Sequence, residues 1–527
     1  MHPLTLSTAL LRLVKSLSPA VPGAHLSASS IHCLLLKAGL LHVGAHLPTA
    51  LLSVYGVLGC PDHARKLFDE MPRPGLVPRT AMARAHVASG QAAQAITLFG
   101  DMVADGVFPD NIAVAVMLGA CHGATTRRNP GKMIHALIFT SGIVPDVFVS
   151  TELIRVYGEC GELAVSRRVF DDMPSRTNIS WNAMLHQYAR HGSADTAYDL
   201  FLAMPRRDVV SWNTVMAGYC AAGRCREALG LFRQMVSPSS CPVHPNVPTI
   251  STILGACADA GCLETGIWLH AYIERNSMND DGCLDRCLID MYCKCGSIEN
   301  ALQVFEKAPR KRDLFSWTTV ICGLAMNGRA SDALRMFGMM QDNGICPDDV
   351  TLVGVLNACA HGGLVDEGLG YFYSMEAKFR ITPKIEHYGC MIDLLGRVGR
   401  LQEAYSMIRT MPMDPNTVIW GAFLSACKVH GNLELGKIAA EEITRLDPDD
   451  PWGRVMLSSM YAKAQDWTAL ARERREMNSL QMKKTPGCSL IELKGEVHEF
   501  VAGGSQHPQH AEICSVLQDV EAQTNGG

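Results

Sequence analysis

One recurring phrase limits what this chain can fold into more than any other feature. SWNAMLHQY (180–188), SWNTVMAGY (211–219) and SWTTVICGL (316–324) repeat, each followed by a small-residue turn and a second apolar stretch. ARKLFDEMP (64–72) and RRVFDDMP (167–174) recur in the second half of the same unit, and GVFPDN (106–111) and GICPDD (344–349) close longer copies. Self-similarity at a period of 31–38 residues is the mark of a solenoid. Each unit then touches mainly its neighbours, and the core runs along the stack instead of filling separate globular domains.

Within a unit the apolar spacing is helical. Trp317, Val320, Ile321 and Leu324 fall at i, i+3, i+4 and i+7, Asn327 and Gly328 interrupt, and Ala333, Met336, Phe337 and Met340 resume the same spacing. Gly344 and Pro347 then stop the second helix. Aligning on this pattern yields a partial unit at 10–44, then 45–75, 76–110, 111–146, 147–177, 178–208, 209–246, 247–281, 282–313, 314–348, 349–384 and 385–416. The expected fold is all-α, a right-handed solenoid superhelix of stacked helix-turn-helix hairpins.

Composition fits this reading. Hydrophobic residues make up 48% and charged residues 19%, which suits buried helices and argues against disorder. A net charge of −5 counts against bulk electrostatic attraction to nucleic acid, so any such binding must rest on local placement of residues. Of the twenty cysteines, Cys121, Cys257, Cys359 and Cys427 each follow an alanine in one phase of the repeat, and Cys160 and Cys295 share another phase in which Leu58 also stands. A slot that takes Cys or Leu reads as apolar packing, and a reducing compartment follows. No apolar run is long enough to span a bilayer. The first acidic residue is Asp62, and residues 1–20 can form a cationic amphipathic helix of the organellar-targeting kind, overlapping a degenerate first repeat.

Helical hairpins of about 35 residues ending in a Gly-x-x-Pro-Asp phrase resemble pentatricopeptide repeats, and the alternation of long and 31–32-residue units resembles the plant PLS subclass. The resemblance extends past the repeats. Residues 417–484 are similar to the E-type extension, and 485–527 to a short E+-like tail, with no DYW deaminase domain expected. The resemblance implies a sequence-specific binder of single-stranded organellar RNA. It would act as the site-recognition factor in C-to-U editing, with a DYW-type deaminase supplied in trans and multiple organellar editing factors as helpers. It implies a mitochondrial location, with the chloroplast as the alternative, and no membrane partner. RNA stabilisation, splicing or translation, or a protein scaffold, are the competing roles.

Family resemblance places RNA-reading side chains at the fifth residue of a unit and at its last residue. On this basis Thr80 with Asp110 implies G, Asn182 with Asp208 implies U, Asn213 with Asn246 a pyrimidine, and Thr318 with Asp348 G. Thr151 ends its unit with Thr177, and Asn416 is paired with Gly389, both unusual. Arg286 at a fifth position is also non-standard, and Ala115, Ser251 and Val353 occupy others. The implied target is G-n-n-U-Y-n-n-G. Ser, Thr, Asn and Asp at these places also favour helix caps for purely local reasons. No catalytic constellation, cofactor or metal site is expected. His510-Ala511-Glu512 matches half of a zinc-deaminase motif, but the Cys-x-x-Cys pair that would complete it does not occur. The cluster Cys283, Cys287, Cys293 and Cys295 lies in core phase.

Overall fold

The computed structural model describes residues 10–525, apart from 15, 17–23, 39–45, 122–129, 238–242, 279–281, 308–312, 480–486, 494–495 and 506. Most of residues 1–20 therefore lie outside the described residues, although Leu10 and Val14 are buried in the core of the first repeats. The chain forms two compact units, Met1–Arg224 and Cys225–Gly527.

Each unit is a stack of antiparallel helical hairpins. In the first, the leading helices His46–Val57, Leu76–Ala88, Asn111–Ala120, Val147–Glu159, Asn178–Arg190 and Val209–Ala221 pack successively against one another, and second helices back them. In the second unit the leading helices are Val247–Ala260, Cys283–Lys294, Leu314–Met326, Asp349–Gly362, Ile385–Arg397 and Thr417–His430. Helices Leu433–Leu446, Trp452–Lys463 and Trp467–Ser479 extend that stack. Among the described residues no helix is long and apolar enough to cross a membrane.

The Ser-Trp-Asn phrase carries three separate physical tasks. Ser180 and Ser211 sit three residues into their helices, where the hydroxyl accepts from the backbone N–H of the N-cap residue, closing a capping box. The tryptophan meets the buried phenylalanine of the preceding second helix edge to face. Phe170–Trp181, Phe201–Trp212 and Phe305–Trp317 have centroids 4.9, 4.7 and 4.8 Å apart at 77°, 73° and 75°. Such pairs add about 0.5–1.5 kcal/mol beyond the area they bury, and here they lock each hairpin to the next. The third residue of the phrase, Asn182, Asn213 or Thr318, is polar and half-buried or buried.

Close approach of the leading helices demands small residues. A Cβ on Gly158 would stand 2.3 Å from the Gln187 side chain, one on Gly218 2.8 Å from Ala189, and one on Gly323 2.1 Å from Cys293 Sγ. Between the two helices of a hairpin, glycines such as Gly192 (φ 74°) and Gly328 (φ 71°) take the left-handed conformation that ends the first helix.

Cys121, Cys257, Cys359 and Cys427 are buried, and burial pushes the Cys121 and Cys427 thiols up to about 12. Cys160 and Cys295 correct the packing expectation: the first is exposed and the second half-buried. Both are C-cap residues just before left-handed Gly161 and Gly296, where the chain has already left the core. All cysteines among the described residues are free.

Among the described residues, the tail holds the only strands. Strand β1 (Cys488–Leu493) pairs antiparallel with β2 (Glu496–Val501), placing Cys488 opposite Val501 and Leu493 opposite Glu496. The Glu492 carboxylate accepts from the Glu264 and Thr265 amides at 2.9 and 3.2 Å and from the Thr265 hydroxyl at 2.5 Å. It thereby caps helix Leu263–Arg275, whose own N-cap, Cys262, offers no side-chain acceptor.

Candidate nucleic-acid interface

The last residue of a repeat is the N-cap of the next leading helix. Asp110, Asp208, Asn246, Asp313, Asp348 and Asn416 each have extended backbone there and accept from the amide three residues on. For Asp110, Asp208 and Asp348 the bond is 2.8 Å long and uses Oδ1. Local capping thus accounts for these acids and amides, yet it consumes only part of their hydrogen-bonding capacity.

The fifth residue lies one turn into the preceding leading helix, and in the strongest case it meets that spare capacity. Asn182 Nδ2 donates to Asp208 Oδ1 and Oδ2 at 3.2 and 3.3 Å. Because a carboxylate only accepts, the amide nitrogen must face Asp208, which leaves Asn182 Oδ1 buried and without a hydrogen-bond partner. In the hairpin 314–348 the link runs through a relay. Thr351 donates its hydroxyl to Asp348 Oδ1 at 2.6 Å, and Thr318 Oγ1 lies 2.7 Å from Thr351 Oγ1. Thr351 has spent its only proton, so Thr318 is the donor there and keeps acceptor capacity alone.

Elsewhere the expected positions have these partners. Thr80 donates to the Leu76 carbonyl at 2.9 Å while Asp110 caps its own helix. Thr151 is buried and donates to the Val147 carbonyl at 2.6 Å. Thr177, the residue that ends its repeat, forms a capping box with Ser180. Asn213 belongs to the first compact unit and Asn246 to the second. Asn246 accepts from the Thr249 amide and hydroxyl at 3.1 and 2.8 Å, and Asn416 from the Ile419 amide at 3.0 Å. Arg286 donates to Asp313 at 2.8 Å. Burial pushes the Asp313 carboxyl up, but the Ser316 hydroxyl and amide and the Arg286 guanidinium outweigh it, leaving it below the usual carboxylate range.

A further set of residues escaped sequence reasoning. The second residue of the leading helix is a large apolar side chain held out to solvent: Val77, Ile112, Phe148, Ile179 and Val210 in the first unit, and Phe315, Val350 and Val418 in the second. They are 53% to 71% exposed, too much for core positions. The signal was present as a Val, Ile or Phe just before the Ser-Trp phrase, three residues from the reading position and out of phase with the buried face. Pro248 and Glu386 stand at the same place elsewhere, and Cys283, the first residue of its helix, is the second of repeat 282–313. Among the described residues no group of His, Cys, Asp and Glu is arranged to hold a metal ion.

The class these features define is an array of helical hairpins, several of which hold an exposed apolar side chain about one turn from a short polar one. Comparison with known proteins agrees. The PPR repeat model matches residues 48–76, 179–209, 286–312, 350–378 and 386–414, the PPR repeat family model 207–259 and 312–361, and the E motif model 430–492. The chain is 38% identical over 498 residues to a putative pentatricopeptide repeat-containing protein of Arabidopsis thaliana, covering 94% of this chain and 72% of that one. A relative from the same plant whose name marks it chloroplastic is 40% identical over 472 residues, covering 89% and 85%. Another, named as mitochondrial, is 37% identical over 477 residues, covering 90% and 69%. The crystal structure of the pentatricopeptide repeat protein PPR10 from maize shares the fold, with a TM-score of 0.54 at 17% identity over 86% of this chain and 72% of that one. The chain belongs to the pentatricopeptide repeat family and carries an E motif.

Proposed function

We propose that this protein is a sequence-specific single-stranded RNA-binding factor that selects sites for organellar C-to-U editing, with the deaminase supplied in trans by a DYW-type partner. The observation that carries this reading is an exposed apolar side chain near a polar group whose hydrogen-bond polarity is set by the protein, in hairpins 178–208 and 314–348. A base stacks on Ile179 or Phe315 without regard to identity, because every base has a π-face. Identity is then read at the fifth residue. Asn182 holds a carbonyl oxygen that is buried and unpartnered in the protein alone; once RNA uncovers it, the N3–H of uracil would satisfy it and the N3 acceptor of cytosine would not. Thr318 likewise presents only an acceptor, and its shorter side chain leaves room for a purine, so the N1–H and N2–H₂ donors of guanine fit. Stacking plus edge recognition of unpaired bases is how proteins read single strands by sequence.

The E motif at residues 430–492 supports the editing role. The extension and the tail after it would engage the deaminase, and multiple organellar editing factors would bind the repeat array. The mitochondrial and chloroplastic names of the relatives support an organellar site of action.

Selection of the purified protein on a randomised single-stranded RNA pool, at fixed salt, tests the reading. The expected result is enrichment of G-n-n-U-Y-n-n-G. A pool that stays random would remove the RNA role and leave a protein-binding scaffold.

A further inference from the structure

The hairpin 282–313 keeps the fold of its neighbours but changes both reading residues together. Its fifth residue is Arg286 in place of a short neutral side chain, and its second is Cys283, half-buried, in place of an exposed Val, Ile or Phe. Arg286 Nη1 donates to Asp313 Oδ2 at 2.8 Å. The other oxygen, Oδ1, accepts from the Ser316 amide at 2.9 Å and the Ser316 hydroxyl at 2.7 Å. Both oxygens of the cap carboxylate are therefore engaged within the protein, as are those of Asp208, but the residue facing Asp313 carries only donors, whereas Asn182 keeps an unpartnered amide oxygen, buried in the protein alone.

The guanidinium also has a ring beside it. Its carbon lies 5.8 Å from the centroid of Phe315, the exposed second residue of the next leading helix. A guanidinium is flat, delocalised and rich in N–H donors, and it stacks on aromatic faces. Those are the properties a nucleobase offers to the same two partners. Arg286 also offsets the charge of Asp313, so the site does not repel a passing phosphate.

We propose that Arg286 is a built-in occupant of the base site of hairpin 282–313, bonded to the cap carboxylate and lying over Phe315 where a base would go, so that this repeat lets a nucleotide pass unread. The inference rests on the RNA-reading function above. It assigns a definite meaning to one position of the implied target: the nucleotide immediately 5′ of the final G is skipped, its base turned away from the protein.

Abasic RNA tests this on the full chain. Three synthetic RNAs on the G-n-n-U-Y-n-n-G frame are compared by fluorescence anisotropy: intact, abasic at the U, and abasic at the nucleotide 5′ of the final G. The protein is expected to lose roughly tenfold in affinity for the RNA abasic at the U, where stacking and an edge contact vanish. It should bind the RNA abasic at the skipped position within about twofold of the intact one, since no base contact is lost there. Arg286→Asn recreates an Asn–Asp pair, and it should install a preference for U at the skipped nucleotide and make an abasic site there costly as well. An equal loss at both positions in the unaltered protein overturns the proposal. So does a preference for G at the skipped nucleotide, which would mean that Arg286 leaves Asp313 to grip the guanine O6 and N7. A folded Arg286→Asn protein with no new preference overturns it too. If neither abasic site matters and the frame itself is not preferred, the RNA-reading function fails, and this inference with it.

Discussion

Hairpins 178–208 and 282–313 are two answers to one architectural problem. Each ends in a phenylalanine that meets the tryptophan of the following helix edge to face, Phe201 with Trp212 and Phe305 with Trp317. Each ends on an aspartate that caps that following helix, Asp208 and Asp313. Where they differ is the residue that meets the cap. Asn182 leaves a hydrogen-bond acceptor unspent, while Arg286 closes the pair into an ion pair. The lesson is that packing and reading are carried by separate residues, so one varies without cost to the other.

The largest effect should fall equally on both hairpins. Phe201→Ala and Phe305→Ala each remove a fully buried ring, at a cost of about 3–5 kcal/mol. Denaturant unfolding followed by circular dichroism should show comparable losses. A large loss in only one would break the claim that the two share a scaffold. Next in size is the close approach of leading helices. Gly158→Ala drives a Cβ into Gln187, and Gly323→Ala one into Cys293, each expected to cost about 1–3 kcal/mol by overpacking. Gln187→Ala should rescue Gly158→Ala in a double-mutant cycle, because it removes the side-chain atoms that the new Cβ would meet.

A third change sharpens the difference in reading. Asn182→Thr should move the preference at one nucleotide from U toward G, a discrimination of about 1–3 kcal/mol, with the melting temperature little altered. Identical RNA profiles for the two proteins would show that the reading register is misplaced.

The smallest effect concerns acid. Tyr292 of hairpin 282–313 lies 2.9 Å from His270 Nδ1 of the preceding second helix. Burial holds that imidazole below the ordinary histidine range, with Glu274 and Asp285 pulling it up and Lys307 pushing it down. The folded chain then resists protonation while the unfolded chain accepts it. Stability from this group is complete above the unfolded pKa of about 6.5 and is lost as pH falls from there toward the depressed folded value. In hairpin 178–208 the matching Tyr188 is bonded to Arg167, which does not titrate in that range. Hydrogen exchange at pH 7.5 and 5.5 should show loosening around residues 270–292 and little around 167–188.

Much of this was legible in the chain. The period, the two-helix unit and the breaks between helices follow from apolar spacing and glycine placement, which are local properties. The Thr, Asn and Asp positions were visible for the same reason. Their chemistry was not, since Thr151 and Asn182 look alike as polar residues near a helix start. One is buried against its own backbone and the other meets a carboxylate twenty-six residues on. Cys160 sat in an apparent core phase, but a residue one place beyond a helix end no longer shares the helix's facing. The β1–β2 hairpin and its Glu492 anchor join positions more than two hundred residues apart, and no local pattern marks such a contact.

What the sequence determined by itself is the repeat: a helix and its partner are specified by spacing, caps and turns within about thirty-five residues of one another. Tertiary structure alone decided which polar side chain meets which cap, which apolar residues are left in solvent, and that Arg286 lies against Asp313 and Phe315. Those outcomes depend on how one hairpin stacks on the next.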